Sequence, residues 1–238
     1  PEATVFQRAS RAGVATRAVS PRAYEHSGLT RSVLRGAEYR GADSLEERVA
    51  EVIDATSARR SLTYAYWGEL DRIGHVSGVD SQEWTEELRR VDDYVDRVVT
   101  AVGDRTRIIV TADHGMVDVA TEARIDIDAI ASLWSGVAHV AGEPRARHVY
   151  AVAGAASEVR DAWREGVGER CWVLTREECA PLFGANDPAI LDRAGDVVVI
   201  ARGGHALVSD RTDALVSSLI GQHGGISSDE SRIPLLTN

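Results

Sequence analysis

Carboxylate and imidazole side chains occur together at three places in this sequence. Asp71 and His75 are four residues apart, a spacing that puts both on one side of a helical turn. Asp113 and His114 directly follow a short apolar run, and His223 lies in a Gly-rich loop. Each group alone is common on protein surfaces. Together they offer the ligand types that zinc prefers, and they predict a metal site if the fold brings them together.

The same residues would furnish most of a two-metal site. Two ions roughly 3.5–4 Å apart can clamp both the attacking and the leaving oxygen in a phosphoryl transfer. The 27 basic residues are all arginine, so no lysine is present to act as a base or to form a Schiff base. The chemistry that this set of ligands indicates is metal-assisted phosphoryl transfer.

Alternating strand and helix patterns predict the elements that must position these groups. Strands separated by helices indicate an α/β fold with a doubly wound, mostly parallel sheet. Ser44 and Glu47 have the spacing of a capping box at a helix start. The apolar strand before Asp113 is typical of a strand buried on both faces. The predicted elements are a helix at Thr4–Gly13, strands at Val14–Ser20, Leu62–Trp67 and Arg107–Ala112, and a helix from Asp80 or Ser81 to Val102.

A smaller unit is predicted within the chain. Residues 143–184 contain a strand, a helix, a second strand and a short helical segment, which is the pattern of a small α/β insert. Residues 1–142 and 185–238 would then form the main domain, whose sheet would resume at the strand Val197–Ala201. We expect the insert to contribute no metal ligand.

Composition excludes several classes of protein. The net charge is −10, which argues against binding to a nucleic-acid polymer, because such binding depends on basic residues. No apolar run approaches the roughly 18 residues of a membrane span, so no membrane partner is expected. The two cysteines, Cys171 and Cys179, form neither a disulfide framework nor a CxxC metal motif.

Three motifs, in this order, resemble the type I phosphodiesterase/nucleotide pyrophosphatase family of the alkaline phosphatase superfamily. They are YWGELDRIGHVSGVDSQEW at 66–84, IIVTADHGM at 108–116 and HGGISSDESRIPLL at 223–236. The resemblance covers essentially the whole chain, which corresponds to the C-terminal two-thirds of such a domain. It implies an alkaline phosphatase-like sheet with two divalent metal ions, usually zinc, at strand ends.

The resemblance also implies a role for each candidate residue. Asp71, His75 and His223 would bind one metal, and Asp113 and His114 would bind the second. The family completes the second site with a further Asp and with a Thr or Ser that is the nucleophile. Both are expected upstream of Pro1. If the nucleophile lay within the chain instead, Thr30 and Ser77 would be the first residues to test.

Several readings stay open at this point. The expected substrate is a small phosphate ester, but a phosphonate hydrolase or a phosphomonoesterase would use the same ligands. The chain could also be a non-catalytic metal-binding fragment, or a plain α/β domain in which Asp71, His75 and His223 never meet. Expected partners are the missing N-terminal segment or a second copy of the chain. We favour a cytoplasmic location, with any targeting segment before Pro1.

Overall fold

The computed structural model describes residues 2–184 and 187–238. The helices are α1 (Val5–Arg11), α2 (Gly28–Val33), α3 (Leu45–Ala55), α4 (Glu69–Ser77), α5 (Gln82–Val102), α6 (Ala156–Val167), α7 (Arg176–Phe183), α8 (Pro188–Leu191), α9 (Asp210–Ser217) and α10 (Ser228–Ser231). The strands are β1 (Ala15–Ser20), β2 (Glu38–Gly41), β3 (Ser61–Ala65), β4 (Ile109–Thr111), β5 (Val117–Asp118), β6 (Arg124–Asp126), β7 (Val137–Glu143), β8 (Ala146–Ala151), β9 (Cys171–Thr175), β10 (Val197–Ala201), β11 (Ala206–Val208), β12 (Gly221–Gln222) and β13 (Leu235–Thr237).

The chain forms two compact units. The first contains residues 2–71, 85–110 and 235–238, and the second contains residues 72–84, 111–184 and 187–234. These bounds differ from those of the predicted main domain and insert. Among the described residues, no helix is both long and apolar enough to cross a membrane.

The first unit is built on a parallel sheet in the order β2-β1-β3. The prediction of an α/β fold with a parallel sheet is confirmed. Helix α3 begins where expected, because the Ser44 hydroxyl accepts from the Glu47 N–H and the Glu47 carboxylate accepts from the Ser44 N–H. The core of the unit joins β1 to the apolar faces of α3 and α5, with Val19, Val52, Tyr94, Val98 and Val102 buried.

Strand β4 is not buried on both faces, and that expectation was wrong. The Ile109 side chain is 61% exposed, whereas the preceding Ile108 packs against the core of the unit. Side chains in a strand alternate between faces, and here one face is covered. In the described part of the chain, β4 pairs with β13.

The second unit contains a four-stranded sheet in the order β7-β8-β10-β9. Its strand β10 had been expected to resume the main sheet. Instead it pairs antiparallel with β8 on one side and β9 on the other. All five residues of β10 are buried, because cores lie on both faces of the sheet. Val197, Val199 and Ala201 face the core with Trp163 of α6, and Val198 and Ile200 face Cys179 of α7.

The predicted insert is thus part of a larger sheet. The sheet already begins at Val137 and ends with β10, on both sides of the predicted limits of 143 and 184. Two short two-stranded sheets complete the unit. Strand β11 pairs parallel with β6, and β12 pairs antiparallel with β5. The loops with the candidate ligands His114 and His223 adjoin the pair of β12 and β5.

Candidate metal centre

Helix α4 carries Asp71 and His75 one turn apart. The helix runs without a break from Glu69 to Ser77, and the boundary between the two units falls inside it, after Asp71. Its first residue is fixed by the buried Arg48, which makes two hydrogen bonds to the Glu69 carboxylate. Burial alone would raise the pKa of the Glu69 carboxyl, but the Arg48 guanidinium outweighs burial and holds that pKa below its usual value.

His75 is held at the other end of the helix. Its Nδ1 lies 2.8 Å from the carbonyl oxygen of Gly221, and its own carbonyl oxygen accepts from the Ile220 N–H at 2.8 Å. A side chain at Gly221 would overlap the carbonyl oxygen of Gly74 and lie 2.5 Å from Met116 Sδ. Only glycine therefore allows α4 to approach β12 this closely.

The pairing of β5 with β12 brings His114 and His223 side by side. Gln222, which precedes His223, lies opposite Val117, three residues after His114. The Gln222 side chain is buried and donates to the carbonyl oxygens of Val216 and Leu219, so β12 has a fixed position. Two loops far apart in the sequence thus present their imidazoles to the same point.

The three imidazoles form a compact group. The rings of His114 and His223 are stacked, with centroids 3.6 Å apart and an interplanar angle of 15°. The ring of His75 lies 5.0 Å from that of His223. One ring nitrogen of His114 lies within 4.8 Å of one ring nitrogen of His223. His75 and His223 therefore meet, and the place of Asp71 beside them stays a prediction.

Hydrogen bonds define which ring nitrogen can face a metal ion. A carbonyl oxygen only accepts, so the Nδ1 of His75 that faces Gly221 must carry its proton. The Nδ1 of His114 likewise lies 2.8 Å from the carbonyl oxygen of Gly115. A ring nitrogen that faces a carbonyl oxygen in this way is usual for histidine metal ligands, which bind the ion through the other nitrogen.

Asp113 is the most exposed of the predicted ligands. Its side chain is 82% exposed, and one carboxylate oxygen lies 3.7 Å from Nε2 of His114. Two atoms bound to one zinc ion at about 2.0–2.2 Å are separated by similar distances. The donor set, the proton positions and these separations fit a divalent metal ion. The allotment of these residues to two ions stays a prediction.

His205 lies outside the group. Its Nδ1 is 3.0 Å from the carbonyl oxygen of Arg202, close to the start of β11. Sequence reasoning missed Asp118, whose carboxylate accepts from the N–H of Val79 at 2.8 Å and so fixes the loop that follows α4. It also missed Arg145, discussed below. Neither residue lies in a pattern that distinguishes it in the sequence.

Comparisons with known proteins agree with this geometry. A sequence model of the type I phosphodiesterase / nucleotide pyrophosphatase family matches residues 2–226. The chain belongs to this family. A curated relative, the bis(5′-adenosyl)-triphosphatase enpp4 of Mus musculus, is 31% identical over 99 residues, which are 38% of this chain and 22% of the relative.

Solved structures support the fold of this phosphodiesterase-family chain. Murine ectonucleotide pyrophosphatase / phosphodiesterase 5, an inactive Thr-to-Ala variant in complex with AMP, superposes with a TM-score of 0.76 at 22% identity, over 98% of this chain and 62% of that one. Phosphonoacetate hydrolase from Sinorhizobium meliloti, in complex with phosphonoformate, gives 0.67 at 19% identity, over 99% and 68%. The predicted alkaline phosphatase-like α/β fold is confirmed, and the chain spans about three-fifths of the murine structure.

Proposed function

We propose that this chain is the metal-binding part of a phosphoric diester hydrolase or nucleotide pyrophosphatase that acts on a small phosphate ester. The observation that supports this most strongly is the grouping of His75, His114 and His223 in a chain of this family. Carboxylate and imidazole ligands hold a divalent ion and leave coordination positions for substrate oxygens.

We further propose that two zinc ions are the cofactors. Asp71, His75 and His223 would hold one, and Asp113 and His114 would contribute to the other. When bound, such ions would neutralise charge on phosphoryl oxygens and lower the pKa of a hydroxyl group or water. The protein's own contribution is to orient the rings of His75 and His114, through the carbonyl oxygens opposite their Nδ1 atoms.

The proposed nucleophile is a Thr or Ser outside these 238 residues. The murine relative is described as inactive with a Thr-to-Ala substitution, which supports a hydroxyl in that role. The hydroxyl would lose its proton, form a bond to phosphorus and displace the leaving alcohol or phosphate. Water would then cleave the phosphoryl-enzyme ester and restore the hydroxyl.

The test is hydrolysis of bis-p-nitrophenyl phosphate with added zinc. We expect turnover by the longer parent protein and none by the 238-residue chain. In the longer protein His223→Ala should abolish turnover, whereas His139→Ala, a change to an exposed histidine of β7, should leave it unchanged. Full activity of His223→Ala would refute the proposal. Turnover by the 238-residue chain would place the nucleophile inside it, with Thr30 and Ser77 as the first candidates.

A phosphonate substrate is the second candidate. The fold shared with phosphonoacetate hydrolase supports it, and the same ligand set would serve. Release of inorganic phosphate from phosphonoacetate by the longer protein, without hydrolysis of the diester, would favour this reading over the first.

A further inference from the structure

A fully buried ion pair lies beside the candidate metal centre. Arg145 donates from Nε to Glu230 Oε1 at 3.0 Å and from a terminal nitrogen to Oε2 at 2.7 Å. The side chains of Arg145 and Glu230 are 0% and 1% exposed. Burial alone would raise the pKa of the Glu230 carboxyl, but hydrogen bonds from Arg145 and Ser227 outweigh burial and keep that pKa below its usual value.

The Glu230 carboxylate holds the loop that carries His223. Its Oε1 accepts from the Gly225 N–H at 2.8 Å, two residues after His223. Its Oε2 accepts from the Ser227 hydroxyl at 2.6 Å. One carboxylate therefore closes the segment from Gly225 to Glu230 into a small loop and fixes its first residues.

The backbone of Glu230 holds the second histidine loop. Its carbonyl oxygen accepts from the Gly115 N–H at 2.8 Å, and Gly115 directly follows His114. Glu230 thus connects to the His223 loop through its side chain and to the His114 loop through its main chain. Its position affects both stacked imidazoles.

Arg145 fixes Glu230 to the four-stranded sheet. It directly precedes β8, and its carbonyl oxygen accepts from the Ala201 N–H at 2.9 Å, at the end of β10. The remaining guanidinium nitrogen donates to the carbonyl oxygen of His205. The guanidinium therefore has a defined orientation, set by the sheet and not by the loop.

We propose that Arg145 is a positioning residue for the metal centre, acting through Glu230 on His114 and His223. The inference rests on the proposed metal site but not on the proposed reaction. It is compatible with the expectation that residues 143–184 contribute no metal ligand, because Arg145 would act through Glu230. A guanidinium is needed because its planar fork matches both carboxylate oxygens, whereas a lysine ammonium makes point contacts only.

Zinc affinity of the 238-residue chain tests the proposal, measured by competition with a chromogenic chelator. Loss of a residue that orients metal ligands typically weakens metal affinity about 10–100-fold. We expect a loss of that size in Arg145→Lys. The matched control is Arg147→Lys. Arg147 is also fully buried on β8, but it pairs with Asp213 and the carbonyl oxygen of Leu207 instead of with Glu230.

The control separates positioning from stability. Both variants remove a buried arginine fork and should lower the unfolding temperature, but only Arg145→Lys should weaken zinc binding by the folded protein. The double variant Arg145→Met/Glu230→Met replaces the ion pair by apolar groups, which often restores stability. It should still bind zinc weakly, because Gly225 and Ser227 lose their acceptor.

NMR spectroscopy of the metal-free protein tests the positioning role of Arg145 independently of zinc binding. Stacked rings shift each other's NMR resonances, so the imidazole signals of His114 and His223 should move in Arg145→Lys. The signal of the distant His139 should not. If the wild-type chain bound no zinc but these shifts appeared, the positioning role would stand and the proposed metal function would fail. The inference would be overturned if Arg145→Lys kept the zinc affinity and the imidazole signals of the wild type. It would also be overturned if Arg147→Lys lost as much zinc affinity as Arg145→Lys.

Discussion

Replacing Gly115 by alanine is expected to destabilise the second unit and weaken its metal binding. A methyl group at this position would overlap the carbonyl oxygen of Asp229 and lie 3.0 Å from its carbonyl carbon. Both are backbone atoms, so no side-chain rotation relieves the overlap. The segment Asp229–Glu230 must move, and the 2.8 Å hydrogen bond from Gly115 N–H to Glu230 is lost or stretched.

The magnitude follows from two costs. Overpacking costs about 1–3 kcal/mol, and a lost hydrogen bond about 0.5–1.5 kcal/mol, so the free energy of unfolding should fall by about 1.5–4.5 kcal/mol. Displacement of the His114 loop should weaken zinc binding about 10–100-fold. The control is Gly204→Ala, where the nearest atom to an added methyl group is 3.9 Å away. Its stability should stay within about 1 kcal/mol of wild type.

Urea unfolding followed by tryptophan fluorescence gives the stability, and a chelator competition gives the zinc affinity. Gly115→Ala should differ from Gly204→Ala in both. If Gly115→Ala had the stability and the zinc affinity of the wild type, the close approach of Gly115 to the segment Asp229–Glu230 would be refuted. The role given to Glu230 would be refuted with it.

Three further predictions concern the buried groups of the second unit. Burial alone would raise the pKa of the Asp213 carboxyl, but hydrogen bonds from Arg147 and Ser217 outweigh it and keep that pKa below 3.8. The stability from this carboxylate is therefore present above about pH 4 and lost as the pH falls further, so Asp213→Asn should flatten the acid side of a pH–stability curve. Burial raises the pKa of the Cys171 thiol to about 12, and Cys179 is fully buried as well, so a disulfide reagent should label the chain only after unfolding. Trp163 is 0% exposed in the core over the four-stranded sheet, and Trp163→Ala should cost about 3–5 kcal/mol in chemical denaturation.

Local sequence signals predicted where the helices and strands lie better than they predicted which strands pair in each sheet. The capping pair of Ser44 and Glu47 predicted the start of α3, because it depends on residues three positions apart. The apolar run Val197–Ala201 correctly indicated a strand, but not which sheet that strand joins. The run containing Ile109 has the same appearance and is half exposed, because burial depends on what packs against each face.

The candidate site shows the same division between local and long-range information. The spacing of Asp71 and His75 was enough to predict one helix face, and α4 bears this out. The approach of His223 could be expected only from the resemblance to a family. Arg145 carried no signal at all, because its partner Glu230 lies 85 positions away and a buried ion pair has no local pattern.

Anomalous scattering at the zinc edge, from crystals of the chain grown with zinc, tests the central claim most directly. The account predicts a peak within about 2.0–2.2 Å of an imidazole nitrogen of His223, with Asp71, His75 or His114 completing the coordination. Zinc peaks found only elsewhere on the chain, with the His223 ring unliganded, would contradict it.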